Sequence, residues 1–382
     1  MVSTFGKFQL LQQIGGGRLS EVYLVSRRGA QRGPNIALKR VMPHVITEDA
    51  FVQLIVREAG LMTRISHPNL CSCHEMGVVD GAAFLTLDLV DGCTLRALMR
   101  RLSQRGGALA SSCIAAIGQQ LAGVLDYLHR HAQRPLIHLD LSPQNVMITR
   151  DGVLKLIDFG IARYLDGLDP PPLAGRIAGT IGYMSPEQAS AREPLDARAD
   201  QYGLGVLLWE LCWGQRLFRG NSPETWRRMR AGELVRADPV VERPDELLAL
   251  IIRLLAAEPE RRFGSMAAVS AALAKLRIAL RDDNAIDHVP QPSLSALVSH
   301  LLADPTFDRF DAVNLRAAPQ TPRDIPTGET DIDGYEELVI EVDKGEGTPA
   351  AKVRAVVPDG GAAAPTRSRR PPSSPFLEAV GE

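Results

Sequence analysis

His138-Leu139-Asp140-Leu141-Ser142-Pro143-Gln144-Asn145 is followed, thirteen residues beyond the Asn, by Asp158-Phe159-Gly160. An Asp and an Asn five residues apart, with a further Asp downstream, supply one proton acceptor and two oxygen ligands for magnesium. That combination suits transfer of a nucleotide phosphate to a hydroxyl.

Around this stretch lie 382 residues, room for one two-lobed domain or two ordinary ones with a substantial core. A net charge of −2 offers no electrostatic footing for nucleic acid or an anionic membrane. The apolar run Tyr202 to Trp213 is broken by Glu210 and is too short to span a bilayer. Met1 to Leu11 lacks the apolar centre of a signal peptide. Five cysteines, at 71, 73, 93, 113 and 212, show no paired metal spacing, and Cys71-Ser72-Cys73 reads as two reduced, packed thiols. These features point to a cytoplasmic protein without a membrane span or a nucleic-acid partner.

Period-two and β-branched segments at Phe8–Ile14, Glu21–Val25, Ile36–Val41, Gly77–Val79 and Ala83–Leu89 predict strands, with one helix between them at Glu48–Ile65. From Thr94 onward helical patterns dominate, at Leu95–Leu102, Cys113–His131, Ala199–Leu211, Pro223–Ala231, Asp245–Ala256 and Met266–Leu280. A β-rich part followed by a larger α-rich part is an α+β arrangement. Pro170-Pro171-Pro172 reads as an exposed loop within the folded part. Beyond Arg281 the composition turns to Pro, Asp, Thr, Gly and Ala. Within that region Ser293 can cap a helix whose Leu294, Leu297, Val298, Leu301 and Leu302 share one face. That face either docks on the chain's own domain or binds a partner or a second copy. Residues 313–382 read as disordered, and their one apolar cluster, Leu338-Val339-Ile340, either adds to a sheet edge or has no structural role.

The two opening motifs resemble those of protein kinases, His-Arg-Asp-Leu-x-x-x-Asn plus Asp-Phe-Gly. Ser142-Pro143-Gln144-Asn145 and Met184-Ser185-Pro186-Glu187-Gln188 look most like the bacterial, eukaryotic-like Ser/Thr kinases. The resemblance covers about residues 8–280. It implies a two-lobed kinase-like fold over 8–281, with an N-lobe over about 8–90 and a C-lobe over about 91–281. A helical extension at 282–312 and a mostly disordered tail at 313–382 follow. It further implies a Ser/Thr protein kinase that uses ATP and Mg²⁺ on protein substrates.

Carried over residue by residue, the resemblance places Ile14, Gly15, Gly17, Ser20, Val22 and Ala37 around the nucleotide. Ser20 stands where the third glycine of the loop is usual. Lys39 would hold the α- and β-phosphates and pair with Glu58. Lys39 is one of six lysines in the chain. The Asp88 carbonyl and the Val90 amide would meet the adenine edge, with Leu87 behind it. Asp140 would accept or orient the acceptor hydroxyl, Asn145 and Asp158 would hold Mg²⁺, and Thr180 would bond toward Asp140. Small-molecule phosphotransferases share the His-x-Asp-x-x-x-x-Asn loop. However, Gly179-Thr180-Ile181-Gly182-Tyr183-Met184-Ser185-Pro186-Glu187 resembles the segment that cradles an acceptor peptide in protein kinases. Glu187 would pair with Arg262, and Asp200 matches the anchor of the central helix.

Two departures stand out. Leu139 replaces the Arg that meets a phosphorylated activation loop in most relatives, and no Ser or Thr lies between Asp158 and Gly179. Both predict activity without phosphorylation of that loop. Ser142 replaces the Lys that contacts the transferred group. Loss of one such preorganised charge costs about 2–4 kcal/mol, or roughly 10²–10³ in rate. The alternative reading is therefore a pseudokinase, a nucleotide-binding or scaffolding module. Tyrosine specificity also stays open, although Thr180 favours Ser/Thr. The hydroxyls at Thr321, Thr327, Thr330, Thr348, Ser373 and Ser374 are candidates for autophosphorylation of the tail. The basic cluster Arg367, Arg369 and Arg370 reads as a soluble end. The oligomeric state is left open.

Overall fold

The computed structural model describes residues 3–16, 20–27, 36–41, 57–167, 176–192, 194–234, 239, 241–282, 293–310 and 337–341. Several sequence expectations lie outside them: Gly17, the first part of the Glu48–Ile65 helix, the Pro170–Pro172 loop, the tail hydroxyls and the Arg367–Arg370 cluster.

The N-terminal lobe is one antiparallel sheet of six strands, in the order β1-β2-β3-β4-β6-β5. These are β1 (Thr4–Phe5), β2 (Phe8–Gly16), β3 (Ser20–Arg27), β4 (Ile36–Val41), β5 (Cys73–Val79) and β6 (Ala82–Leu87). Alternation along β2 puts Phe8 and Leu10 on one face, where they meet Val25, Leu38 and Phe84 in a small apolar core. Phe84 receives Phe5 and Phe8 edge-on at centroid distances of 5.6 and 5.5 Å. The described part of the lobe's helix, α1, covers 57–62.

Past the connecting segment Asp88–Asp91 the chain enters the larger lobe. Short strands β7 (Gly92–Thr94), β9 (Val146–Thr149) and β10 (Leu154–Leu156) form a three-stranded sheet, and β8 (Leu136–Ile137) pairs with β11 (Arg163–Tyr164). Gly92 has to be glycine, because a Cβ there would stand 1.9 Å from the Ile148 carbonyl oxygen. The helices are α2 (Leu95–Gln104), α3 (Ser111–Asp126), α4 (Pro186–Ala189), α5 (Arg198–Trp213), α6 (Pro223–Ala231), α7 (Asp245–Leu254) and α8 (Met266–Asp282). Their apolar faces build the main core around Tyr202, Leu208 and Trp209, with Trp209 stacked on Trp213 at 4.7 Å.

The predicted helix ending at His131 is instead α3 closed by one π turn, Tyr127–His131. That extra residue per turn is a device found at functional sites; here it brings His129 onto Asp200, at 2.8 Å. The strands β7 to β12, each two to five residues long, were not visible in the periodicity.

Helix α9 (Leu294–Ala303), capped by the Ser293 hydroxyl, buries Leu294, Val298 and Leu301 in the main core beside β7 and β9. The stretch after it turns back along the interlobe segment. The Arg309 carbonyl accepts the Thr94 N–H at 3.0 Å, Arg309 pairs with Asp91 at 3.4 Å, and Asp304 pairs with Arg101. Gln12 of β2 lines the same cleft as residues 305–310, so the extension reaches the N-lobe rim. Finally, β12 (Arg176–Thr180) pairs antiparallel with β13 (Glu337–Glu341). Among the described residues no helix is long and apolar enough to cross a membrane.

Candidate active site

Two clusters of polar side chains lie on adjoining segments, the first joining a strand of the N-terminal lobe to Asp158. The first begins with Lys39, on the central strand β4 and only 8 % exposed. Its Nζ donates to both Glu58 oxygens, at 2.9 and 2.8 Å, and lies 3.1 Å from Asp158 Oδ1. Glu58, 2 % exposed on α1, also accepts the Phe159 N–H at 3.3 Å. Burial disfavours the Lys39 charge, but the Asp158 and Glu58 carboxylates outweigh it and hold the ammonium well above its ordinary pKa. Burial raises Glu58 in turn, with Lys39 pulling the other way. For Asp158 burial is outweighed by Lys39 and the Gly160 N–H, and the carboxyl sits below the usual range.

Local backbone sets this geometry. Asp158 adopts φ +66°, a left-handed turn that costs a non-glycine residue roughly 1–3 kcal/mol and persists only where surroundings enforce it. Here Phe159 is buried edge-on against His138 at 4.9 Å, and the Ile157 N–H donates to the Asn145 carbonyl at 2.9 Å. These contacts tie Asp158 to the first motif.

The second cluster is built on Asp140. Its Oδ1 accepts from Thr180 twice, from N–H at 2.8 Å and from Oγ1 at 2.7 Å. The Asn145 Nδ2 donates to Asp140 Oδ2 at 2.7 Å and to its carbonyl at 2.9 Å. Among the described residues, Asn145 Oδ1 accepts no hydrogen bond, and Asp158 is engaged through Oδ1 and not through Oδ2. Two hard oxygens on adjoining segments are a donor set that fits a magnesium ion.

Of the other expected residues, Ile14 and Ala37 are buried, Gly15 pairs with Val22, and Val22 stands across from Lys39 in the β3–β4 ladder. Ser20 opens β3. Asp88 and Val90 lie beyond the end of β6 and bond to neither cluster; the Asp88 side chain instead takes the Ser72 N–H and His74. The Val90 N–H has no acceptor among the described residues. Glu187 and Arg262 form a buried bidentate pair at 2.6 and 2.9 Å.

One residue escaped the sequence reading. Gln188 donates through Nε2 to the Leu139 carbonyl at 2.9 Å and to the Ala178 carbonyl at 2.8 Å, clamping the Asp140 loop to β12. Nothing in a Gln's local sequence says which carbonyls it will reach. The five cysteines are free thiols, and burial pushes Cys71 up to about 12.

The family model described as protein kinase domain matches residues 8–273. Among curated relatives, the tyrosine-protein kinase MasK of Myxococcus xanthus is 30 % identical over 283 residues, covering 72 % of this chain and 43 % of its own. The serine/threonine-protein kinase PknB of Mycolicibacterium smegmatis is 30 % identical over 317 residues, covering 80 % and 48 %. PknD of Mycobacterium tuberculosis, also a serine/threonine-protein kinase, is 31 % identical over 271 residues, covering 69 % and 38 %. The chain thus spans less than half the length of each of these relatives. With the family match reaching from β2 into α8 and enclosing both clusters, the chain belongs to the protein kinase family, in its bacterial, eukaryotic-like Ser/Thr branch.

Proposed function

We propose that this chain is an active protein kinase that moves the γ-phosphate of ATP, with Mg²⁺, onto Ser and Thr hydroxyls of proteins. Residues 8–281 form its kinase domain, 282–312 its helical extension and 313–382 a regulatory tail. The observation that carries the reading is that both clusters are assembled together, Lys39–Glu58–Asp158 and Asp140–Asn145–Thr180.

Bound nucleotide and magnesium would supply the phosphoryl group and neutralise its charge. Lys39, locked by Glu58, would orient the α- and β-phosphates, and the Gly15 hairpin and Val22 would cover them. The Asp88 carbonyl and Val90 N–H would receive the adenine edge. Asn145 and Asp158 would hold the metal. Asp140, fixed by Thr180 and Asn145, would orient the acceptor hydroxyl and take its proton. Such a reaction needs positioning and charge neutralisation more than covalent chemistry. Ser142 predicts a slow enzyme, below the usual 1–100 per second or so. Nothing in the arrangement favours the pseudokinase alternative.

The assembled clusters also support activity without phosphorylation in the segment between Asp158 and Gly179. The test is incubation with Mg²⁺ and γ-labelled ATP beside Asp140→Asn and Lys39→Ala, with sites mapped by mass spectrometry. Label on Ser or Thr that both variants lose is the expected result. No label on a generic acceptor would refute the reading. A phosphate in that segment whose removal abolished turnover would refute its independence of phosphorylation.

A further inference from the structure

The β12 edge has a resident. Strand Arg176–Thr180 pairs with Glu337–Glu341 and with no other strand among the described residues, in the register Arg176↔Glu341, Ile177↔Ile340, Ala178↔Val339, Gly179↔Leu338 and Thr180↔Glu337. Thr180, the last residue of this ladder, bonds Asp140 twice. Gln188 holds the other carbonyls of the corner in place. The edge therefore runs directly up to the carboxylate that meets the acceptor. An unpaired strand edge presents a row of N–H and C=O groups that any extended chain can complete.

We propose that residues 337–341 of this chain are a resident strand on the β12 edge, which extended acceptor chains must displace. This rests on the kinase reading above and deepens it. The sequence of the occupant fits the role: Glu337-Leu338-Val339-Ile340-Glu341 sets three strongly strand-forming residues between two acids. The backbone register puts Glu341 opposite Arg176. Held in the same molecule, even a weak five-residue ladder gains from a high effective concentration. Acceptors with an apolar triad bounded by acids would displace it best.

The test is proline substitution in the full chain, at Val339 and separately at Ile340. Successive residues of a strand alternate in which way their N–H points, so one of the two prolines removes a ladder donor. The expected result is a fall of roughly 3- to 10-fold in KM for a generic acceptor protein, with KM for ATP unchanged, in at least one variant. The same variant should lose hydrogen-exchange protection at the amides of 176–180. Exchange needs no turnover, so it separates the two readings. Lost protection in a chain that labels nothing would uphold the resident strand while refuting the kinase reading. Normal labelling, with neither acceptor KM nor exchange altered by either proline, would overturn the proposal.

Discussion

Asp200 holds the backbone of Leu139: its Oδ1 accepts the Leu139 N–H at 2.8 Å, in a loop where Leu139 sits at φ +66°. The same carboxylate accepts the His138 N–H at 2.9 Å and His129 at 2.8 Å, and it is fully enclosed on α5. A left-handed leucine is unfavourable by itself, by about 1–2 kcal/mol, so the anchor keeps Asp140 where Thr180 and Asn145 can reach it. Asp200→Asn retains one acceptor in place of two. It is expected to lower turnover by on the order of 10²-fold, the loss that follows small misplacement of reacting groups. Steady-state kinetics with unchanged acceptor would check this; retained turnover would show that the loop holds itself.

Acid should weaken the same anchor. Burial opposes ionisation of Asp200, but His129, His138 and the two backbone donors hold its pKa below the ordinary value. A group with a depressed folded pKa stabilises above its unfolded value and loses that contribution as pH falls through the folded one. Wild-type stability should therefore drop below about pH 4, the ordinary carboxylate value. The Asp200→Asn profile should be flatter there, as read from urea midpoints across pH.

Glu210 predicts the opposite slope. It is buried on α5, accepts Tyr183 OH and the Leu217 N–H, and burial raises its pKa to about 7, against the pull of Arg216. With the folded pKa above the unfolded one, its contribution is complete below the ordinary carboxylate value and is lost as pH rises through about 7. Glu210→Gln should match wild type near pH 4.5. At pH 8 it should be more stable, by up to roughly 3 kcal/mol at about 1.4 kcal/mol per unit. Equal unfolding midpoints at pH 8 would count against this.

Ending the chain after residue 292 removes α9, whose Leu294, Val298 and Leu301 are buried in the main core. At about 1.5–3 kcal/mol for each fully buried side chain and roughly 2–4 °C per kcal/mol in a domain of this size, Tm should fall by on the order of 10 °C. A chain ended after residue 312 should keep its Tm. Thermal unfolding of the two truncations decides it.

The Ser142 hydroxyl is buried and has no hydrogen-bond partner among the described residues. An unsatisfied hydroxyl is a cost, so Ser142→Ala should be neutral or slightly stabilising, within about 1 kcal/mol. Turnover should stay within about twofold of wild type; a tenfold loss would mean the hydroxyl itself meets the transferred group.

Much of the site was legible because its chemistry is local or spaced along regular elements. Asp140 and Asn145 share one loop, and Lys39 lies on an apolar strand nineteen residues before a helical Glu58. The long helices were legible for the same reason, since 3.6-residue periodicity survives over ten or more positions. Strands of two to five residues, such as β8 and β11, carry too few alternations to register. Gln188 and the strap at Arg309 depend on backbone partners remote in sequence, which no periodicity encodes. The face of α9 was readable as apolar, but whether it would meet its own core or another chain depended on the open flank of β7 and β9.

The docking of α9 and its strap also sets a tether. The strap at Arg309 lies beside the interlobe segment, and the β13 strand begins at Glu337. The twenty-six residues between Phe310 and Glu337 can span at most roughly 90 Å. Seating of β13 is thus a unimolecular event whose extent does not change when the protein is diluted. Any acceptor, by contrast, must compete through its own concentration. On the proposed use of the β12 edge, the abundance of acceptors, and not that of this chain, would set how much of the edge they hold.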